Sequence, residues 1–133
     1  MSEIHTTITV KVNPTEDSEK VKKAVQNLFP TTSFKKILQK KGHLLKAKLD
    51  DKTGLSKFYN LLRQERILNA ARAILLRGIE GNKITFYLNK QVAYVEHISF
   101  CEPLGESPLG PIRVEITCDD TRELVDWLAP RSV

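Results

Sequence analysis

The chain has 133 residues, 41% of them hydrophobic and 28% charged, an ordinary globular composition with no apolar run near the ~20 residues that a membrane-spanning helix needs. Cys101 and Cys118 stand apart with no CxxC pair, which argues against a disulfide scaffold and against a complete zinc site. The net charge of +5 hides a division: residues 1–100 hold 18 Lys and Arg against 9 Asp and Glu, whereas 101–133 hold 3 against 7, so a basic body precedes an acidic end.

This length fits one domain over 1–133, with roughly two thirds of the unfolded surface buried in a single core. The segment MSEIHTTITV has no cationic stretch followed by a long apolar one, so it reads as a first strand and not a secretion signal, and a cytoplasmic location is expected. Clustered positive charge raises the local concentration of anions and favours polyanionic partners.

Residues 4–12 alternate, with Ile4, Thr6, Ile8, Val10 and Val12 on one side, the pattern of a half-buried strand. Asn13-Pro14-Thr15-Glu16 offers a cap acceptor, a first-turn proline and an acid three places on. A helix follows, starting between Pro14 and Ser18, with Val21, Ala24, Val25 and Leu28 as its apolar stripe and Pro30 as its stop. Residues 33–39 and 43–50 form a hairpin around Lys40-Lys41-Gly42. Its lysines, Lys35, Lys36, Lys40, Lys41, Lys46 and Lys48, either protect a sheet edge or contact RNA.

From Gly54 the period becomes helical, with Leu55, Phe58, Tyr59 and Leu62 in one stripe. Unbroken, that stripe would carry Arg66 and Asn69 to the buried side, so a break is expected between Arg63 and Ile67. A second stripe, Ile67, Ala70, Ala71, Ile74 and Leu75, ends at Gly78. Strands are expected over 83–89, over 94–101 and, after a Pro/Gly-rich loop from 102 to 111, over 112–118. A last helix capped by Asp119 or Asp120 stops at Pro130. The order βαββααβββα predicts an α+β domain, a mostly antiparallel sheet with helices on one face and the other face open.

No phosphate-binding loop, nucleophile elbow or paired-histidine metal motif occurs in the chain. His5, His43 and His97 lie in separate strands, and the acid pairs Glu16-Asp17 and Asp119-Asp120 stand where helices begin and are read as caps. No cofactor or metal is expected, and the chain is read as not an enzyme. Two features resemble a contact surface. On a continuous helix Arg63, Arg66, Ala70, Ala73 and Arg77 would form one ridge, suited either to phosphate or to a protein partner. Lys83, Tyr87, Asn89, Lys90, Gln91 and Tyr94 interleave rings, cations and amides, as single-stranded RNA binding requires.

The segments VKVNPTED, RILNAAR, NKITFYLNKQVAYVEHISF, SPLGPIRVEI and VDWLAP, in this order across nearly the whole chain, resemble the archaeal uncharacterised protein family 0201. The resemblance implies an α+β fold related to the large-subunit ribosomal protein that holds the smallest ribosomal RNA, RNA binding, and association with the archaeal exosome. It places the family's recognisable segments on Arg66, Asn69, Arg72, Phe86, Asn89, Lys90 and Gln91. An acid of the family pattern is replaced here by Asn69, which removes a salt-bridge partner for Arg72, and an alanine is replaced by Val92.

The sequence thus points to a non-enzymatic RNA-binding domain whose contacts are Lys40, Lys41, Lys46, Lys48, Arg63, Arg66, Arg77, Lys83, Tyr87, Asn89, Lys90 and Gln91. The alternative is a structural subunit, either self-associating or docked into a larger RNA-processing assembly.

Overall fold

Alternation and capping chemistry place the first elements. The computed structural model describes residues 4–30, 33–50, 52–101 and 110–131. Strand β1, His5–Val12, buries Thr6, Ile8, Val10 and Val12 and turns the intervening residues away. Helix α1, Ser18–Leu28, is capped by Asp17, whose carboxylate accepts from the Glu19 N–H at 2.9 Å. Glu16 does not cap the helix. It accepts instead from the backbone and side-chain amides of Asn13, which closes the turn ahead of α1.

The expected hairpin forms from β2, Lys35–Leu38, and β3, His43–Leu49. Gly42 turns it at φ +75, and a Cβ there would sit 2.1 Å from the Val12 carbonyl oxygen, so no other residue fits. A 3₁₀ turn, Lys52–Leu55, leads into α2, Ser56–Gln64, and then α3, Leu68–Arg77. The break falls within the expected interval, at Arg66, which takes a left-handed φ of 57. The arginine ridge that a continuous helix would have made therefore does not form.

The chain continues through β4, Ile79–Glu80; β5, Lys83–Leu88; α4, Lys90–Tyr94; β6, Ile112–Thr117; and α5, Thr121–Leu128, capped by Asp120. One difference from the sequence reading lies at 90–101. Asn89 caps a helical turn through the Val92 N–H at 2.9 Å, and Glu96 then reverses the chain at φ 64. The strand expected over 94–101 shrinks to a short pairing beside β5: Asn89 donates to Ser99, Cys101 donates to Tyr87, and Leu88 faces Phe100. Residues 102–109 of the expected loop lie outside the described residues.

The six strands form one sheet in the order β2-β3-β1-β6-β5-β4, each antiparallel to its neighbours. On one face Ile8, Val10, Leu45, Ile84, Phe86, Val114 and Ile116 meet the apolar stripes of α1, α2, α3 and α5 in a single core. Phe58 is its centre, stacked between Phe29 at 5.1 Å and Phe86 at 5.5 Å, with Phe100 edge-on. The opposite face carries no helix among the described residues. Its side chains are half-buried or exposed.

Candidate nucleic-acid interface

The register of the sheet decides which side chains stand together on the open face. Lys35 pairs with Lys46, Lys46 with Thr9, Thr9 with Arg113 and Arg113 with Tyr87. Residues directly opposite in antiparallel strands share a face, so these five make one row across five strands. At the usual strand spacing the row spans about 19 Å. The adjacent row holds Lys48, Thr7, Glu115 and Thr85, and Lys11 and Lys83 point the same way.

The two ends of this face differ electrostatically. Toward β2 and β3 stand Lys11, Lys35, Lys46 and Lys48, and no ion pair among the described residues engages them. Toward β5, Glu115 bridges Arg113 at 2.7 Å and Lys83 at 3.5 Å. Beyond it, at the outer edge of β5, a cleft of about 620 Å³ opens between β4 and residues 99–101, lined by Arg77, Glu80, Lys83, Thr85, Tyr87 and Arg113 among others.

Of the residues expected to contact RNA, Lys46, Lys48, Lys83 and Tyr87 therefore share the open face. Lys40 and Lys41 extend from the β2–β3 turn, exposed. Arg77 is exposed in the last turn of α3 and reaches the cleft, its Nε donating to the Ala73 carbonyl at 3.4 Å. Arg66 is exposed at the α2–α3 corner, away from the sheet rows. Lys35, one of the hairpin lysines, lies on this face as well, and so do Lys11 and Arg113, which the sequence reading did not single out. The signal for Lys11 and Arg113 was present, because each alternates with core residues on a strand whose second face was expected to be open.

Three expected contacts serve the fold instead. Lys90 is only 3% exposed: its ammonium donates to the Lys11 carbonyl at 2.7 Å and to both Glu16 carboxylate oxygens at 2.9 and 3.2 Å. A group so enclosed offers nothing to phosphate. Asn89 spends its side-chain oxygen on the α4 cap, and Gln91 is exposed on α4, with no place in the sheet rows. Arg63 forks onto the end of α5, donating to the Trp127 and Leu128 carbonyls at 3.1 Å and to the Tyr59 carbonyl of its own helix at 3.0 Å while lying 3.4 Å over the Tyr59 ring. Arg72 joins it, reaching Asp126 at 2.7 Å and the Ala129 carbonyl at 3.1 Å. The acidic partner that Asn69 cannot supply is thus provided by α5. Together the two arginines satisfy carbonyls that the last turn of a helix leaves without internal donors.

The histidines do not assemble with acids in the cleft. His43 meets Ser18 at 3.4 Å, and partial burial together with Lys36 and Lys22 holds its pKa below the ordinary value. His97 lies 3.6 Å from Glu65, whose carboxylate also accepts the Ile98 N–H. Among the described residues no group of three or more His, Cys, Asp or Glu is placed to hold a metal ion, and no helix is long and apolar enough to cross a membrane.

The chain thus has an antiparallel sheet with one face covered by helices and a lysine-rich second face, and a family model described as RNA binding matches residues 5–118. The chain belongs to this family, whose curated relatives are UPF0201 proteins of archaea. That of Metallosphaera sedula is 49% identical over 127 residues, covering 94% of this chain and 87% of the relative. That of Methanopyrus kandleri is 43% identical, covering 95% and 84%. The crystal structure of the UPF0201 protein from Methanococcus jannaschii has a TM-score of 0.85 at 36% identity, covering 95% of this chain and 99% of that one. A DUF54 protein from Methanothermobacter thermautotrophicus, 18% identical with a TM-score of 0.68 over 96% and 99% of the two chains, shares the fold. The resemblance carried by VKVNPTED and NKITFYLNKQVAYVEHISF is borne out.

Proposed function

We propose that this protein is a non-enzymatic RNA-binding domain that lays a single strand across the open sheet face. The observation that carries this reading is the row Lys35, Lys46, Thr9, Arg113 and Tyr87, cationic at one end and aromatic at the other. Phosphates meet Lys11, Lys35, Lys46 and Lys48, and a base stacks on Tyr87, as rings on sheets serve RNA elsewhere. Neutralising four phosphates makes log affinity fall with log salt at a slope of about −3.

Titration of a fluorescent uridine octamer at several salt concentrations tests this. Replacing Lys46 and Lys48 together by alanine reduces the slope by about 1.4, and Tyr87→Ala weakens binding by about fivefold to 150-fold, from the loss of 1–3 kcal/mol of stacking. No binding at low salt, or a slope untouched by the double variant, removes the open face from RNA recognition.

A second reading, a structural subunit that self-associates, is favoured by the edge strand β2, where Leu38 is 78% exposed beside Ile37. An unpaired edge with exposed apolar side chains is a template for another strand. Light scattering after gel filtration, with Leu38→Lys as the control, separates such association from a monomer.

A further inference from the structure

The cleft at the outer edge of β5 differs in kind from the lysine end of the same face. Arg77, Lys83 and Arg113 line it, but so does Glu80, and Glu115 is paired to both Arg113 and Lys83. The C-terminal end of α3, at Gly78, also lies on it, and helix C-termini carry partial negative charge. Three cations opposed by two carboxylates and a helix C-terminus make a poor phosphate site. What the cleft does offer is donors and acceptors side by side against the Tyr87 ring, in a volume of about 620 Å³, within the range of small-ligand pockets.

The backbone adds a donor. The N–H and C=O of a strand residue point to the same side, and the Tyr87 carbonyl accepts from Cys101 at this edge. The Tyr87 N–H therefore faces the same gap between β4 and residues 99–101.

We infer that this cleft reads a guanine base, unstacked from the RNA strand that crosses the open face; the inference rests on that RNA-binding reading. Guanine alone presents two adjacent acceptors, O6 and N7, and, on another edge, two adjacent donors, N1–H and the N2 amino group. A guanidinium fork matches the first pair, and a carboxylate matches the second. Arg77, exposed at the cleft, supplies the fork, and Glu80 supplies the carboxylate. The base stacks on Tyr87, the last residue of the basic row, so the strand delivers the base where the lysines end.

Fluorescence anisotropy at one fixed salt concentration, with three octamers, tests this: all-uridine, uridine with one central guanosine, and uridine with one central adenosine. The guanosine octamer binds about tenfold tighter than the all-uridine one, the equivalent of one bidentate base contact, and the adenosine octamer gains less. Glu80→Gln and Arg77→Lys each bring the guanosine octamer down to the affinity of the all-uridine octamer measured with the same variant, with far-UV circular dichroism confirming the fold. Equal affinity of the wild type for all three, an equal gain from adenosine, or a preference that survives both substitutions overturns the inference and leaves the open-face reading standing. Absence of binding to every octamer overturns both.

Discussion

The Lys90 ammonium and the Glu16 carboxylate, 74 residues apart in sequence, form a buried ion pair that joins α4 to the turn before α1. Both side chains are almost withdrawn from water. Asn27, also buried, reinforces the contact by donating to the Ala93 and Tyr94 carbonyls at the end of α4. Asn89 and Lys90, read from the sequence as RNA contacts, thus anchor α4.

Lys90→Ala leaves the Glu16 carboxylate and the Lys11 carbonyl without their shared donor. Removing one partner of a buried pair costs about 3–5 kcal/mol, so the urea midpoint falls accordingly. Lys20→Ala, on the exposed face of α1, changes stability by less than about 0.5 kcal/mol. Similar effects of the two substitutions would show that the buried pair does not hold α4.

Acid is expected to weaken the same joint. Burial pushes the Glu16 carboxyl upward, but the Asn13 amides and the Lys90 ammonium outweigh it and hold its pKa below the ordinary 4.5. A carboxyl depressed in the folded state stabilises fully above its unfolded pKa and loses that contribution as pH falls through the folded one. Urea unfolding below pH 4.5 should therefore weaken more steeply in the wild type than in Glu16→Gln. Parallel pH profiles would assign the acid sensitivity to other carboxylates.

Arg63 tests whether shape or charge secures α5. Its fork reaches three carbonyls while its plane lies on Tyr59, a geometry that a lysine cannot reproduce. Arg63→Lys should lose about 1.5–3 kcal/mol, the contribution of charged hydrogen bonds, in thermal or urea unfolding. Near-wild-type stability would mean that a positive charge alone suffices there.

Thr6 occupies a core position of β1, and its hydroxyl has no hydrogen-bond partner among the described residues. Valine keeps the β-branched shape and removes the desolvated oxygen, so Thr6→Val should raise stability by about 1 kcal/mol. A loss of stability in urea would show that the hydroxyl is satisfied after all.

The local architecture was legible because it rests on short-range physics. Alternation in β1, β3, β5 and β6 assigned core and open faces, Gly42 and Gly78 marked a turn and a helix end, and the misfit of Arg66 on a buried stripe located the break between α2 and α3. The family, too, was legible in segments spread over the chain. Local reading failed where a strand was expected over 94–101: the Asn89 cap and the distant Glu16, paired with Lys90, hold a helical turn over Lys90–Tyr94, and Glu96 then reverses the chain.

What the sequence by itself determined was the set of elements, their inward faces and a basic body able to meet RNA. Which cations share a surface was decided only by the tertiary structure, because strand order and register are long-range choices. They place Lys35, Lys46, Arg113 and Tyr87 in one row although the chain separates them widely. They also remove Lys90, Asn89 and Arg63 from it, since a polar group becomes structural when folding brings it a buried partner, and that partner lies elsewhere in the chain.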